Sequence, residues 1–201
     1  MCIPFFGYIV KSTEPKKGFS ILFSSVISIS IFLFINLFSY LGAFFLLIYL
    51  ILFKRTEKLY YLLLSFISFL VAAFNLVGDS LFIATLPIML VSSIFSLMMI
   101  GHWFLVDPTI SRVGMKNIAK SSMFFATMLC LLLITGLITN DISTLYRNII
   151  LGLYISSGIL SLGAYKSLNE TSYTGVMAAT GLSYLSLLVS LGGTGTLILL
   201  P

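Results

Sequence analysis

The chain has one histidine, His102, and it stands beside the only tryptophan, Trp103. Met98 lies four residues before it and Met99 three, so on a helix both thioethers share or border the face of His102. Imidazole with thioether is a ligand set for haem iron, and soft thioethers suit Cu(I). His102, Met98 and Met99 therefore form a candidate cofactor site for haem, copper or quinone. An ionisable group inside a membrane segment is also a candidate proton relay. Position supplies a competing reading. His102 is followed closely by Asp107-Pro108, where a long apolar stretch runs out. There it would hydrogen-bond near lipid headgroups and fix the helix end together with Asp107, and Trp103 would anchor at the interface. A haem with two histidine ligands would need two copies of the chain.

Arg147, Asp79 and Asp107 are the other residues that could contact a substrate or ion. Arg147, with Asp141 nearby, reads as a surface ion pair or as a contact for an anionic substrate. Asp79, in Gly78-Asp79-Ser80, reads as a helix cap or as part of a cation site. Asp107-Pro108 reads as an N-cap followed by proline at the first helical position, opening a short surface helix through Arg112 and Lys116. Several chemistries lack their motif. There is no HExxH, no GxxxxGK[ST], no GxSxG and no CxxC. The last apolar segment has no lysine that could carry a retinal Schiff base. Cys130 reads as a small apolar filler within a span.

The elements that carry these residues follow from composition. Hydrophobic residues make up 59% of 201 and charged residues 8%, with a mean hydropathy of +1.14. A water-facing surface usually needs about 25% charged residues. Lipid must therefore be the main solvent, and lipid requires backbone groups to pair within helices or a closed barrel. The apolar runs are continuous rather than alternating, which selects helices. The fold class read from the sequence is an all-α polytopic transmembrane helix bundle. The net charge of +5 reads as a positive-inside bias rather than as a nucleic-acid surface.

Residues 1–17 read as a short cytoplasmic segment in which Pro4 and Pro15 oppose one continuous helix, with Phe5, Phe6 and Tyr8 able to dip into the interface. Residues 18–201 read as a single transmembrane domain. The stretch 18–53 carries no charge and has two readings. As one helix it would be about 54 Å long, against a hydrocarbon core of roughly 30 Å, and the chain would have six spans. As a hairpin turning near Asn36, Ser39 and Gly42 it gives seven. The hairpin puts every basic residue except Arg147 on one side, so the charges favour seven spans, amino terminus inside and carboxyl terminus outside. Further spans are expected at 59–77, from Ser80 or Pro87 to Val106, at 118–138, at 147–165 and from Tyr173, loosening at Gly192-Gly193. Small residues four apart (Ser20, Ser24 and Ser28; Gly175, Ala179 and Ser183; Gly152 and Ser156) allow close helix packing, within the bundle or between copies.

The octet Gly101-His102-Trp103-Phe104-Leu105-Val106-Asp107-Pro108 resembles the GHWYLV-x-P signature of a family of uncharacterised bacterial multi-pass membrane proteins. The run Tyr173-Thr174-Gly175-Val176-Met177-Ala178-Ala179-Thr180-Gly181-Leu182-Ser183-Tyr184 is similar to an SATGILY-type run in late helices of such proteins. Phe104 replaces the usual tyrosine, and Ser183 stands where an apolar residue is common. The resemblance implies a bacterial inner-membrane protein and links His102 with Arg147; it implies no activity. The functional expectation is an integral membrane protein serving as an accessory or structural component of a membrane complex, its partners being the lipid bilayer and another membrane protein or a second copy. The alternatives are a redox-associated subunit at His102 and a small-solute transporter or channel using Arg147, Asp79 and polar helix faces.

Overall fold

The computed structural model describes residues 2–13, 16–33, 36–52, 59–77, 80–137 and 143–199. Among them the secondary structure is entirely helical: α1 (Cys2–Thr13), α2 (Lys17–Leu33), α3 (Leu37–Ile51), α4 (Leu59–Val77), α5 (Ser80–Phe104), α6 (Arg112–Ile134), α7 (Thr144–Ser167) and α8 (Tyr173–Leu199). They group into two units, Met1–Leu81 and Phe82–Pro201. Asp79, Asp141 and the basic stretch 54–58 lie outside the described residues, and so do the readings that rest on them.

In the first unit the stretch 18–53 is not one helix. Asn36 is extended (φ −139°, ψ 146°) and caps α3, its Oδ1 accepting from the Phe38 amide at 3.4 Å. Ser39 and Gly42 do not turn the chain; both are buried within α3. Gly42 serves packing instead. Its carbonyl accepts from Ser65 Oγ at 2.8 Å, and an added methyl would meet the Phe69 ring at 2.8 Å. That close approach joins α3 to α4.

The amino-terminal segment is helical over Cys2–Thr13 and more buried than its aromatic residues suggested. It is a helix, because Pro4 falls in the first turn, where its missing N–H breaks no intrahelical bond. Phe6 is not at an interface but fully buried. It stacks on Phe23 (4.8 Å, 8°) and meets Tyr49 edge-on at 5.9 Å. Ile3, Phe6 and Ile9, three apart, form the buried stripe.

Among the described residues four helices are long and apolar enough to cross a membrane, Ala84–Phe104, Arg112–Ile134, Thr144–Ser167 and Tyr173–Leu199. The seven expected segments each have a helix, but length does not make all of them spans. With 17 and 15 residues, α2 and α3 reach only about 25 and 22 Å.

The second unit contains α5 from Phe82 onward and α6, α7 and α8, each antiparallel to the next. Its interior changes character along its length. At the end where α6 finishes, the core is apolar: Leu90, Ile94, Ala126, Leu129, Leu133, Ile150, Tyr154 and Leu197. In the middle it is hydroxylated. Ser122 Oγ donates to Ser93 Oγ at 2.9 Å and joins α6 to α5. Ser157 and Ser186 share a 2.9 Å hydroxyl contact across α7 and α8, and Ser186 also donates to the Ser157 carbonyl at 3.1 Å. Tyr154 Oη and Thr194 Oγ1 lie 3.3 Å apart between the same helices. Outward faces carry Ile155, Ile159, Leu185 and Leu188. This polar-in, apolar-out arrangement suits lipid, where hydroxyl bonds and close packing replace the hydrophobic drive between helices.

One boundary falls at the first of its two expected starts, Ser80, and two others differ from expectation. Pro87 lies inside α5, which begins at Ser80; the carbonyl one turn before the proline thereby loses its helical donor, a loss that packed membrane helices tolerate. The fifth segment starts earlier and ends sooner than 118–138. Ser111 caps α6 through Val113, and Gly136 at φ 75° closes it. α8 continues through Gly192-Gly193, because Gly193 lets the Tyr154 ring approach to 3.2 Å of where a methyl would stand. Of the small-residue faces, Ser20 and Ser24, and Gly175, Ala179 and Ser183, are buried, whereas Gly152 and Ser156 are exposed.

Ser24 provides a test of this fold. Its Oγ is buried and has no hydrogen-bond partner. Replacing an unsatisfied hydroxyl by a methyl removes a desolvation penalty. Ser24→Ala is expected to leave thermal stability in detergent unchanged or raise it by up to about 1 kcal/mol. A loss of stability would mean that this hydroxyl is bonded in the folded protein.

Candidate functional site

The end of the second unit where α5 finishes and α6 begins gathers most of its charged side chains. The last turn of α5 winds down through the Val106 and Asp107 amides, both donating to the Trp103 carbonyl at 2.9 Å. Pro108 has no N–H with which to continue. Asp107 is buried and does not cap a helix. Its Oδ1 accepts from Thr109 Oγ1 at 2.6 Å and from the Thr109 amide at 3.4 Å, closing a turn on itself. The expected short surface helix and the following span are one helix, with Ser111 as its cap.

Arg112 holds this end together. Its guanidinium donates through Nη1 to the Glu170 carbonyl and through Nη2 to the Thr171 carbonyl at 2.9 Å. The same group stands 5.4 Å from the centre of the Phe104 ring, and Phe104 lies 6.2 Å from Tyr173. One cation thus ties the end of α5, the start of α6 and the connection from α7 to α8. Glycine permits the last of these to be tight, since a methyl at Gly175 would stand 2.5 Å from the Ser167 carbonyl oxygen. Gly101 does the same between α5 and α8, where a methyl would collide with Thr180 Oγ1.

The residues singled out for chemistry are not gathered into one place. His102 is exposed, Met98 is buried and Met99 is half-buried. Although His102 and Met98 are one turn apart, the imidazole faces outward and the thioether inward. Among the described residues no three His, Cys, Asp or Glu side chains form a group that could hold a metal ion. Arg147 is half-buried near the start of α7. It stands at the opposite end of the unit from His102, about a helix length away (roughly 30 Å). The pairing of His102 with Arg147 implied by the resemblance therefore has no direct contact behind it. Lys166 and Glu170 are exposed.

Reasoning from sequence missed the Arg112 clasp. One signal was available: a cation in the first turn of a helix opposes the helix dipole and needs another reason to be there. A second cation–ring contact on the same end was equally hidden. Lys120 Nζ lies 5.5 Å from the centre of the Tyr165 ring, across α6 and α7. No protein-family model, no curated protein and no solved structure matches the chain.

Arg112→Lys tests the clasp, because a lysine ammonium cannot reproduce a fork across two successive carbonyls. Amide exchange over residues 171–175 is expected to speed up about ten-fold, equivalent to ~1.4 kcal/mol, with the middle of α7 unaffected. Unchanged exchange in that loop would show that the contact contributes nothing to holding it.

Proposed function

We propose that this chain is a seven-span protein of the bacterial inner membrane that serves as a structural or accessory subunit of a membrane complex. The observation that carries this reading is how the second unit uses its polar groups. Most of its buried serine, threonine and tyrosine hydroxyls bond to one another or to helix carbonyls, and its outward faces are mainly apolar. Such a bundle is suited to holding a shape in lipid. The exposed Gly152 and Ser156 leave part of α7 open to a neighbouring helix, either a partner protein or a second copy. The break at Asn36 supports counting α2 and α3 as separate short spans. Arg112, Lys116, Lys120 and Lys166 at one end of the second unit, against Arg147 at the other, favour an inner basic end, a cytoplasmic amino terminus and an outer carboxyl terminus.

A second reading, a path for a small polar solute, is favoured by the hydroxyl layer of Ser93, Ser122, Ser157, Ser161 and Ser186. The redox reading rests on His102 with Met98 or Met99 and would place haem, copper or quinone at the exposed imidazole.

Purification from native membranes in mild detergent separates the three. The structural reading predicts a particle of fixed stoichiometry larger than the 22.2 kDa chain, an absorption spectrum without a haem band, and no flux when the protein is placed in liposomes. A lone chain that moves ions or small anions would establish the solute path instead. A stoichiometric haem, copper or quinone lost on His102→Ala would establish the redox role.

A further inference from the structure

The basic end of the second unit carries more cation than its fold consumes. Arg112 is committed to two carbonyls and a ring. Lys116, Lys120 and Lys166 are committed to no carboxylate among the described residues. The acids described there are Asp107, closed into its own turn, and Glu170, whose Oε2 accepts from Ser172. Lys120 is exposed and lies eight residues into α6, about 12 Å along the helix from Arg112. A lysine this far into a membrane helix must reach back towards the headgroups, its stem lying along apolar surface. Tyr165 on α7 receives its ammonium, and Lys166 is the next residue.

Below these two lysines the exposed faces are mostly apolar, and the exposed Thr127 and Ser156 hydroxyls donate to carbonyls of their own helices. On α6 the face of Lys120 continues through Phe124, Met128 and Leu131, which are 62%, 38% and 55% exposed. On α7 it continues through Leu162, Ile159 and Ile155. Two neighbouring helices thus each carry an exposed lysine near one end, Lys120 beside Tyr165 and Lys166 next to it in the chain, with mostly apolar side chains exposed beneath. That order matches an anionic phospholipid, with phosphate above and acyl chain below, and basic sites between membrane helices take such headgroups.

We infer that the mouth of the α6–α7 groove binds an anionic phospholipid, its phosphate held by Lys120 and Lys166 and its acyl chain lying along Phe124 and Ile159. This rests on the membrane-spanning reading above, and insertion is therefore measured separately from lipid choice. The protein is reconstituted into nanodiscs of mixed phosphatidylcholine and phosphatidylglycerol, insertion is confirmed by resistance to carbonate extraction, and retained lipid is counted by native mass spectrometry. Phosphatidylglycerol is expected to be enriched, with the enrichment falling about five-fold for each lysine removed in Lys120→Gln and Lys166→Gln. Lys120→Arg with Lys166→Arg should keep it, and Arg147→Gln, at the far end, should leave it unchanged. Added inorganic phosphate should not displace the lipid, because the acyl chain contributes to binding. Equal retention of the two lipids by inserted protein, or full enrichment in the double glutamine variant, would overturn the lipid site alone. Displacement by inorganic phosphate would make it a free-phosphate site. Extraction by carbonate would instead overturn the membrane reading.

Discussion

Hydroxyl pairing across helices is the interaction on which the second unit depends. Lipid tails are as apolar as leucine, so burying leucine between two helices gains little over leaving it in the bilayer. What distinguishes one packing from another is then close backbone approach and the few bonds that cross an interface. Ser93 with Ser122 and Ser157 with Ser186 supply such bonds near the middle of the bundle. Glycine at 101 and 193 supplies the approach, each facing a side chain of a neighbouring helix. Individual bonds of this kind contribute about 0.6 kcal/mol and at most ~1.7, so it is their number across several helix pairs that fixes the arrangement.

The two ends of that unit solve different problems. Where α6 finishes, leucine and isoleucine pack around Tyr154, and among the described residues Arg147 is the charged one. Where α6 begins, Ile100, Phe104, Met115, Leu168 and Val176 are buried as well, and a single guanidinium gathers three chain segments on one cation. The remaining lysines at that end are left to the surroundings. The end with the denser charge is thus the end that a guanidinium ties together.

Much of this was legible in the sequence, for physical reasons that differ by element. Continuous apolar runs could only be helices in lipid, and Leu59–Val77 has the bounds read from its flanking residues. Asn36 was readable as one possible break because it is turn-prone, and in the structure its side chain caps the helix that follows. Ser20 and Ser24 were readable as a packing face from their four-residue spacing. Other features needed the partner to be known. Phe6 looks like an interfacial aromatic until Phe23 and Tyr49 stand against it. Gly192-Gly193 looks like a weak point until Tyr154 fills the space that a side chain would have taken. Pro87 looks like a start because only neighbouring helices make a proline tolerable inside one. At the candidate site the rare residues drew the eye to His102, whereas the residue that organises that end is Arg112, whose role depends on carbonyls 58 and 59 positions away.

The claim that interior hydroxyls hold the bundle is tested most directly by a double-mutant cycle on Ser157 and Ser186. Unfolding free energy would be measured in bicelles for Ser157→Ala, Ser186→Ala and the double variant. The pairing predicts a coupling energy of about 0.5–1.5 kcal/mol between the two sites. Additive effects, with a coupling indistinguishable from zero, would contradict it and would return the task of holding α7 to α8 to packing alone.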